Sequence, residues 1–340
     1  MMYFEQNRED VLMVKSLLSE PKKIVITTHH KPDGDAMGSS LGLYLYLLRK
    51  NHVVTVITPS DYPEFLNWLR GNEKVINYQL HPDAGNELIR SAEIIFALDF
   101  NDPGRVEKMQ EAITTSDAIK ILIDHHLDPK DFCRYTFSYP SSAATCELIY
   151  YFIQAIDGPG MIDADIAECL YTGIMTDTGS FRFPAMTAGL HRVIASLMES
   201  GARHSRIHEL IYDNFSENRV RLLGYCLHQK LQVISEYHAA LITLDEKEMN
   251  DFNFQPGDSE GFVNYALGIK GIMLAAFFSE RQGLVKISLR SRDNFSVKEL
   301  AEQHFEGGGH KNAAGGKSLA PLQQTVDKFI ALLPGLKFGT

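Results

Sequence analysis

Short apolar segments that end in acidic residues or histidine recur along the first half of the chain. Residues 24–28, 93–98 and 120–123 are rich in β-branched and other apolar side chains, which is typical of strands buried on both faces of a parallel sheet. A mostly buried helical pattern over 39–49 and a further strand pattern over 53–57 lie between the first two. This order predicts a βαβ unit and an α/β fold built on a doubly wound parallel sheet.

The second half of the chain predicts a smaller α/β domain with a mixed sheet. Short strands alternate there with short helices: strands over 230–234, 239–244, 272–278 and 284–291, and helices over 261–267 and 297–305. Charged residues within a helical pattern over 187–227 predict a continuous helical linker. We therefore expect one domain at 1–186 and a second at 228–340, joined by this linker.

Composition and charge narrow the class of protein. The 340 residues are 44% hydrophobic and 22% charged, as in ordinary globular domains, and the four cysteines form no Cys-x-x-Cys pair. The net charge of −10 argues against binding to long duplex nucleic acid, which depends on neutralising phosphates. No apolar run reaches the roughly 18 residues of a membrane span, and the first residues lack the features of a signal peptide. We expect a cytoplasmic protein without membrane association.

Candidate chemistry gathers where the predicted strands end. His29, Asp33 and Asp35 follow the first strand, Asp99 follows the strand at 93–98, and an Asp-His-His run at 124–126 follows the next. In a right-handed parallel sheet these ends share one edge, where ligands bind in such folds. Each aspartate alone also suits a helix N-cap or a turn. Three strand ends with carboxylates and imidazoles together favour a metal site.

Three further residues each have two interpretations. Asp177 ends a helical pattern and is a candidate for the last metal ligand, although a helix C-terminus disfavours negative charge. Arg105 lies in a turn-like segment, where it either reaches a phosphate or pairs with a carboxylate. Ser142 precedes a predicted helix over 143–150 and either caps that helix or binds an anion at its start.

A glycine-rich segment over 307–316 carries basic residues between two predicted helices. Glycine lets backbone N–H groups converge into an anion-binding nest, which favours phosphate binding over a flexible loop. The binding candidates in this segment are Gly308, Gly309, His310 and Lys311. Arg290 either points to solvent or reaches the same phosphate, for which a planar guanidinium is suited. From 270 to 317, eight basic and five acidic residues give a local net charge of +3.

The donor set indicates the metal and the reaction. Histidine and carboxylates without thiolates suit Mn²⁺ or Mg²⁺ better than structural zinc. One ion does not need so many ligands, whereas two ions about 3.5–4 Å apart, bridged by one carboxylate, would use them. Such a pair generates hydroxide and neutralises charge on a phosphoryl group. The residues therefore predict metal-assisted hydrolysis of a phosphate ester or anhydride.

The order of these motifs resembles that of the DHH/DHHA1 phosphoesterase superfamily. The matching residues are His29-x-x-x-Asp33-x-Asp35, Asp99, Asp124-His125-His126, Thr176-Asp177-Thr178-Gly179 and Gly307-Gly308-Gly309-His310. The resemblance covers nearly the whole chain, and the length is similar to that of the nanoRNase group, bifunctional oligoribonucleases and 3′-phosphoadenosine 5′-phosphate (pAp) phosphatases. It implies a DHH catalytic domain at 1–186, a DHHA1 substrate-binding domain at 228–340, and an active site in the cleft between them.

The resemblance also implies roles for individual residues. One Mn²⁺ would be held by His29, Asp33 and Asp99, and a second by Asp35, Asp99, His125 and Asp177. Asp99 would bridge the two ions, for which Mg²⁺ or Co²⁺ are the expected substitutes. His126 would contact the scissile phosphate or assist proton transfer. The substrate-binding candidates are Arg105, Ser142, Arg290, Gly308, Gly309, His310 and Lys311.

The leading hypothesis is a two-metal hydrolase that degrades short oligoribonucleotides to mononucleotides and converts pAp to AMP. The alternative is a linear or cyclic dinucleotide phosphodiesterase that acts on pApA or cyclic di-AMP. A nucleotide sensor without catalysis is a third hypothesis. The sequence leaves open the polarity of attack on RNA, 3′ to 5′ or 5′ to 3′, and whether the chain forms a homodimer.

Overall fold

Six parallel strands form the first sheet of the computed structural model, which describes residues 3–336. The strands are β1 (Lys23–Thr27), β2 (Val53–Thr58), β3 (Ile76–Asn77), β4 (Ile94–Leu98), β5 (Ile119–Asp124) and β6 (Tyr135–Ser138). Their order across the sheet is β3-β2-β1-β4-β5-β6. The chain moves outward from β1 on one side and returns to its other side at β4, so these two strands form the switch point of a doubly wound sheet.

Helices cover both faces of this sheet. They are α1 (Arg8–Leu17), α2 (Gly34–Arg49), α3 (Pro82–Ser91), α4 (Gln110–Thr115), α5 (Thr145–Asp157), α6 (Ala164–Asp177), α7 (Ala188–Glu199) and α8 (His204–Tyr212), with short 3₁₀ helices at Glu64–Leu66, Asn72–Lys74 and Pro103–Met109. Ile24 and Ile26 pack into one core, whereas Val25 packs into the other, because side chains alternate along a strand. The unit Met1–Asn214 is therefore a three-layer α/β domain.

A mixed sheet of six strands forms the second unit, Phe215–Thr340. Its strands are β7 (Leu231–Ile234), β8 (Ala239–Leu244), β9 (Leu274–Arg281), β10 (Leu284–Ser291), β11 (Gly308–His310) and β12 (Ala313–Ser318). Their order is β11-β12-β10-β9-β8-β7; β8 and β9 run parallel and the other neighbours antiparallel. The predicted fold class, a doubly wound parallel sheet and a smaller domain with a mixed sheet, is confirmed.

Helices again cover both faces of the second sheet. They are α9 (Glu217–Tyr225), α10 (Glu246–Asp251), α11 (Phe262–Leu267), α12 (Val297–His304) and α13 (Leu322–Leu332), with a π-helical turn at Cys226–Lys230 and 3₁₀ helices at Ser235–Tyr237 and Leu333–Gly335. Phe277 and Phe278 enter the cores on opposite faces. Within residues 3–336, no helix combines the length and apolar character needed to cross a membrane.

The helix α2 begins five residues earlier than the sequence pattern predicted. Asp33 is its N-cap, and the Asp33 carboxylate accepts hydrogen bonds from the backbone N–H groups of Asp35 and Ala36 at 3.0 and 3.1 Å. Of the two interpretations open for a lone aspartate, a helix N-cap or a turn, Asp33 therefore takes the first. Its consequence is that Asp35 lies in the first helical turn.

The predicted continuous helix over 187–227 is three separate helices. Gly201, which has a φ of 107°, follows α7 and ends it, as a glycine with positive φ commonly does. Leu197 of α7 and Ile207 of α8 are buried in the core of the first unit, whereas Leu222 of α9 is buried in the second. The division after Asn214 thus falls inside the predicted linker. The apolar residues before this point belong to the core of the first unit, and those after it belong to a core of the second.

The glycine-rich segment, for which the sequence favoured an anion-binding nest over a flexible loop, is a β-hairpin formed by β11 and β12. Gly308 pairs with Gly315, and Gly309 pairs with Ala314. A Cβ on Gly307 would overlap the carbonyl oxygen of Gly315, so the close approach of the two strands requires glycine there. The same composition that favours a nest therefore permits tight strand pairing. The edge strand β6 was also missed, because its four residues alternate between apolar and polar and lack a long apolar run.

Candidate metal centre

The candidate site lies at the carboxyl edge of the first sheet, beside its switch point. His29 follows β1, Asp99 directly follows β4, and His125 and His126 directly follow β5. Asp99 does not cap the following 3₁₀ helix, whose N-cap is Asp102. Its backbone is left-handed instead, with a φ of 63°. Backbone strain of this kind is concentrated at functional positions.

Two closely packed helices bring further carboxylates to this edge. The first turn of α2, which contains Asp35, packs against the last turn of α6, which contains Asp177. Glycine permits the approach, because a Cβ on Gly38 would lie 2.5 Å from the carbonyl oxygen of Cys169. The glycine on this side of α2 thus allows Asp35 of α2 and Asp177 of α6 to lie close together at the edge of the sheet.

Asp99 lies between two groups of side chains. Its Oδ2 atom is 3.5 Å from His29 Nε2, which is 3.9 Å from Asp33 Oδ2. Its Oδ1 atom is 3.4 Å from Nε2 of His125. The two oxygens of one carboxylate therefore face two different histidines, as expected of a residue that bridges two ions.

The second group contains His125, Asp35 and Asp177. His125 Nε2 is 3.4 Å from Asp177 Oδ2 and 3.9 Å from Asp35 Oδ2. Ligand atoms within each group lie within 4.8 Å of one another. Two ligands of one cation, each about 2.0–2.2 Å from it, are separated by roughly 3–3.5 Å, so both groups are close to the spacing that a divalent ion needs. Imidazole nitrogen and carboxylate oxygen are also a donor set that fits Mn²⁺ or Mg²⁺.

The backbone orients both histidines toward the carboxylates. His29 Nδ1–H donates to the carbonyl oxygen of His30 at 2.9 Å, and His125 Nδ1–H donates to that of Ser142 at 3.3 Å. The Nε2 atoms consequently face the cluster. Metal-binding histidines are commonly held by a hydrogen bond from the other ring nitrogen.

Burial and neighbouring charge shift the pKa values of the cluster. Burial disfavours the charged imidazolium of His125, but a hydrogen bond to Asp99 and attraction to Asp177 outweigh it and raise its pKa well above the usual value. Burial also disfavours the charged imidazolium of His29, but a hydrogen bond to Asp99 and attraction to Asp33 outweigh it and raise the pKa of His29. Burial, together with repulsion from Asp99, raises the pKa of Asp35 to about 7. Buried carboxylates that repel one another need positive charge beside them, which divalent cations supply.

Asp99 and Asp177 shift in opposite directions. Burial and repulsion from Asp35 raise the pKa of Asp177 well above its usual value. Burial would also raise the pKa of Asp99, but hydrogen bonds from His125 and His29 outweigh it and hold the pKa well below the usual value. Of Asp35, Asp99 and Asp177, Asp99 is therefore the carboxylate whose negative charge its neighbours stabilise.

Asp35 also stabilises the start of α5. Its Oδ2 accepts a hydrogen bond from Thr145 N–H at 2.6 Å, and its Oδ1 accepts one from Cys146 N–H at 2.9 Å. The sequence suggested that Ser142 would cap this helix or bind an anion at its start. Ser142 is instead buried and its hydroxyl donates to Glu147 Oε2 at 2.8 Å, so the capping prediction is wrong. The anion at this helix start is the Asp35 carboxylate.

Two residues of the cluster had no role assigned from the sequence. Asp124 Oδ1 accepts a hydrogen bond from His126 Nδ1–H at 2.7 Å, and its Oδ2 is buried without a hydrogen-bond partner among the described residues. Thr145 donates its hydroxyl to Asp99 Oδ1 at 2.9 Å. The position of Asp124 next to two histidines at a strand end was a usable signal. Thr145 had none, because it reaches the cluster only through the packing of α5.

The remaining candidates lie in two places. Arg105, in the 3₁₀ helix of the first unit, forms no ion pair among residues 3–336, and its positive charge acts to lower the pKa of His29. In the second unit, Arg290 of β10 pairs with Ala313 of β12, which pairs with His310 of β11. Residues directly opposite in neighbouring strands point to the same face, so both basic side chains flank one small residue.

The rest of the glycine-rich hairpin completes the set of predicted substrate-binding residues. Gly308 and Gly309 are part of β11, and Lys311 is exposed at the turn that follows. The Lys311 ammonium group donates to Asn294 Oδ1 at 2.9 Å. These residues therefore form one polar end of the second sheet together with Arg290 and His310.

The fold and the histidine–aspartate cluster define a DHH-type phosphoesterase. Residues 23–174 match the DHH family, N-terminal domain, and residues 235–334 match the DHHA1 domain. The chain therefore belongs to the DHH family and carries a DHHA1 domain, as the order of its motifs predicted.

Three known proteins illustrate the relationship. A protein named bifunctional oligoribonuclease and PAP phosphatase NrnA, from Thermus thermophilus, is 32% identical over 92% of this chain and 88% of its own length. The crystal structure of an exopolyphosphatase-related protein from Bacteroides fragilis has a TM-score of 0.93 at 38% identity and covers 97% of this chain, with 96% of that protein covered. The cyclic-di-AMP phosphodiesterase GdpP of Geobacillus thermodenitrificans is 25% identical over 88% of this chain but only 45% of its own length.

Proposed function

We propose that this protein is a two-metal hydrolase that degrades short oligoribonucleotides to mononucleotides and removes the 3′-phosphate of pAp to give AMP. The observation that carries the proposal is the position of Asp99 between two histidine–carboxylate groups, with one oxygen toward each. The name of the Thermus relative, similar over nearly the full length of both chains, supports this choice of substrates.

Each of the two histidine–carboxylate groups is proposed to bind one metal ion. His29, Asp33 and Asp99 would hold one Mn²⁺, and Asp35, Asp99, His125 and Asp177 the other; Mg²⁺ or Co²⁺ would substitute. When bound, the ions supply a hydroxide nucleophile at neutral pH and neutralise charge on the phosphoryl group. Pairs of histidine nitrogens and carboxylate oxygens 3.4–3.9 Å apart in both groups support this assignment.

His126 is proposed to act on the substrate through its Nε2 atom. The hydrogen bond from Nδ1–H to Asp124 Oδ1 at 2.7 Å fixes the ring and its tautomer. This arrangement presents Nε2 as the atom that accepts a hydrogen bond or, once protonated, donates one to the scissile phosphate or the departing oxygen. Asp124 would stabilise the imidazolium that forms during such a proton transfer.

Cationic residues in both units are proposed to bind the phosphates of a short substrate. Arg105 is the candidate near His29. In the DHHA1 domain, Arg290 and His310 on one sheet face, with the hairpin residues Gly308, Gly309 and Lys311, would hold the terminal phosphate. A local clamp suits a chain with a net charge of −10. An extended basic track, as needed for long nucleic acid, is not required.

A substrate panel tests the proposal. Turnover is measured with Mn²⁺, Mg²⁺ or Co²⁺ on pAp, on end-labelled oligoribonucleotides of two to five residues, on pApA, cyclic di-AMP and pyrophosphate, and on a long duplex. We expect Mn²⁺-dependent hydrolysis of pAp and the short RNA and no attack on the duplex. The end label reports the polarity of attack. Inactivity on both pAp and short RNA, with intact Mn²⁺ binding, would contradict the proposal.

A dinucleotide phosphodiesterase is the second candidate, and the similarity to GdpP favours it. This chain spans less than half of that relative, so the activity of the whole relative does not transfer directly. The same panel separates the two functions. A kcat/KM for pApA or cyclic di-AMP more than tenfold above that for pAp and dinucleotides of other sequence would favour the second candidate.

A further inference from the structure

A cavity of about 240 Å³ lies at the end of the edge strand β6. It is lined by Tyr3, Gln6, Ser138, Tyr139, Pro140 and Ser141. The residues that form it come from the N-terminal segment, the last residue of β6 and the turn between β6 and α5. None of the ligand candidates belongs to this lining, so the cavity is distinct from the metal centre.

Aromatic packing holds the N-terminal wall of this cavity in place. The Tyr3 ring lies 5.4 Å from the Tyr139 ring and 5.6 Å from the Tyr151 ring, measured between centroids. Phe4 is buried against Phe137, at 5.2 Å. The Tyr139 hydroxyl donates to Asn7 Oδ1 at 2.9 Å, which ties both walls together. The wall is therefore formed before any ligand binds.

The lining suits a flat, neutral and polar ligand. The six lining residues, all in the described part of the chain, are uncharged: two tyrosines, a proline, a glutamine and two serines. Tyrosine faces stack on planar rings, and the amide of Gln6 offers both a donor and an acceptor to a ring edge. An anion or a metal ion would require charge that this lining lacks. Nucleobases combine a planar ring with donors and acceptors at the edge, and they stack on aromatic side chains.

The turn that lines the cavity also contacts all three residues of the Asp-His-His run. Tyr139 N–H donates to the carbonyl oxygen of Asp124 at 2.9 Å. The Ser138 hydroxyl lies 3.5 Å from the carbonyl oxygen of His126, and the carbonyl oxygen of Ser142 accepts from His125 Nδ1–H at 3.3 Å. The segment 138–142 therefore contributes to the cavity and also contacts the run that carries the histidines of the metal centre.

We propose that this cavity is a nucleobase subsite, which binds the base of the nucleoside attached to the scissile phosphate. The proposal rests on the proposed function, because it takes the phosphate to lie at the metal centre. Tyr3 and Tyr139 would provide the stacking surface, and Gln6 and Ser141 would bind the ring edge. These residues would determine affinity for the substrate without taking part in bond cleavage.

The test compares pAp with its base-free analogue, 1-deoxyribose 3,5-bisphosphate. We expect Tyr3→Ala to raise KM for pAp about tenfold, since loss of one base–aromatic contact costs roughly 5- to 150-fold. We expect Gln6→Ala to raise KM by up to about tenfold, through loss of its hydrogen bonds to the ring edge. We expect kcat for pAp to stay within about twofold, and the kinetics of the base-free substrate to stay unchanged. The wild-type preference for pAp over the base-free substrate would accordingly shrink.

Controls separate binding from folding. Tyr3→Phe keeps the ring and is expected to keep KM within about twofold. Gln6 is exposed, so Gln6→Ala leaves the packing intact; Gln110→Ala, at an exposed glutamine of α4, is its matched control and should change nothing. Thermal unfolding of each variant checks the fold. Equal losses on both substrates, or unchanged kinetics on pAp in both variants, would overturn the subsite.

The failure of the subsite and the failure of the proposed function give different results. If the wild-type protein hydrolyses neither pAp nor short RNA, the proposed function is wrong. The cavity is then tested by adenosine binding, measured by calorimetry. Binding that weakens about tenfold in Gln6→Ala and not in Gln110→Ala would support the subsite, and wild-type protein that binds no adenosine would overturn it.

Discussion

Asp99 combines three features at one position. Its backbone is left-handed, its two carboxylate oxygens face His29 and His125, and Oδ1 also accepts the hydroxyl of Thr145. Among residues other than glycine, asparagine and aspartate tolerate the left-handed conformation best. Asparagine is therefore the substitution that removes the charge and retains the backbone.

Asp99→Asn is expected to abolish turnover without unfolding the protein. We expect kcat/KM for pAp to fall more than about 100-fold, since even partners outside the metal ligands contribute 10- to 100-fold. Mn²⁺ affinity, measured by calorimetry, should fall with it, while the circular dichroism spectrum stays unchanged. A nucleotide sensor would give the opposite pattern, with no turnover in the wild type and a signalling output preserved in the variant.

Asp124→Asn is expected to lower kcat while Mn²⁺ binding is retained. The Asp124 carboxylate accepts a hydrogen bond from His126 Nδ1–H at 2.7 Å, and a neutral amide in its place would no longer stabilise an imidazolium. We expect kcat to fall about 10- to 100-fold and the pH profile of kcat to change shape. Asp117→Asn, at an exposed aspartate in the same unit, is the matched control. A loss of Mn²⁺ affinity equal to the loss of kcat would contradict this role.

His52 is expected to make the protein less stable in mild acid. Burial, with the nearby charge of Lys50, lowers the pKa of His52 below its usual value, and its Nδ1 accepts a hydrogen bond from Lys22 N–H at 3.1 Å. The unfolded chain therefore binds the proton more readily, so the stabilisation is complete above about pH 6.5 and is lost as the pH falls through the pKa of the folded state.

Urea unfolding at pH 7.5 and pH 5.0 measures this effect. His52→Gln, whose amide oxygen still accepts a hydrogen bond, should lose less free energy of unfolding between the two pH values than the wild type. His81→Gln, at an exposed histidine, should lose as much as the wild type. An equal loss in the wild type and His52→Gln would contradict the assignment.

At the residue scale, the sequence predicted which side chains approach one another better than what else they do. His29, Asp99 and His125 could be predicted to meet because the carboxyl ends of parallel strands share an edge. The hydrogen bonds that Asp35 accepts at the start of α5 could not be predicted, because the donors lie 110 and 111 residues further along the chain. The capping role was assigned to Ser142 because the carboxylate that accepts from this helix start, Asp35, is distant in sequence.

At the scale of elements, the close packing of α2 on α6 positions Asp35 beside Asp177. Gly38→Ala would place a Cβ 2.5 Å from the carbonyl oxygen of Cys169 and 3.0 Å from Cys146 Sγ. Overpacking of this kind typically costs about 1–3 kcal/mol. We expect a lower free energy of unfolding in urea and weaker Mn²⁺ binding, because the two carboxylates move apart.

A second glycine provides the control for this experiment. Gly224 lies in α9, and a Cβ there would meet no atom within 4 Å. Gly224→Ala should therefore stabilise the protein by up to about 1 kcal/mol through helix propensity alone. Stabilisation by Gly38→Ala as well would show that the helices do not need the glycine.

Elements with long apolar runs were predicted well, and elements defined by tertiary pairing were not. The strands β1, β4 and β5 are buried over most of their length, so their sequences alone identify them. The hairpin of β11 and β12 consists largely of glycine and alanine, which have little preference for a strand. Its pairing depends on the neighbouring strand β10, which no local pattern reveals.

At the scale of the whole molecule, each unit has its own cores, and the proposed metal ligands all belong to the first. Ligand binding stabilises the folded state by about 2.7 kcal/mol at 100 times the dissociation constant. We expect saturating Mn²⁺ to slow hydrogen exchange in peptides covering 23–35, 94–99 and 119–126, relative to protein in EDTA. Peptides covering 274–291 serve as the internal control, and equal protection in both regions would contradict the assignment of the ligands to the first unit.

The hydrogen bonds of Asp33 and Asp35 have a consequence for recognising inactive descendants of this protein. Each carboxylate satisfies backbone donors at a helix start, Asp33 for α2 and Asp35 for α5. A chain that had lost its chemistry would still be under selection to keep both aspartates. His29 and Asp177 start no helix in this way, so drift would remove them first. The presence of the aspartates alone is therefore poor evidence of catalysis, whereas loss of His29 or Asp177 would identify a relative that has lost the chemistry.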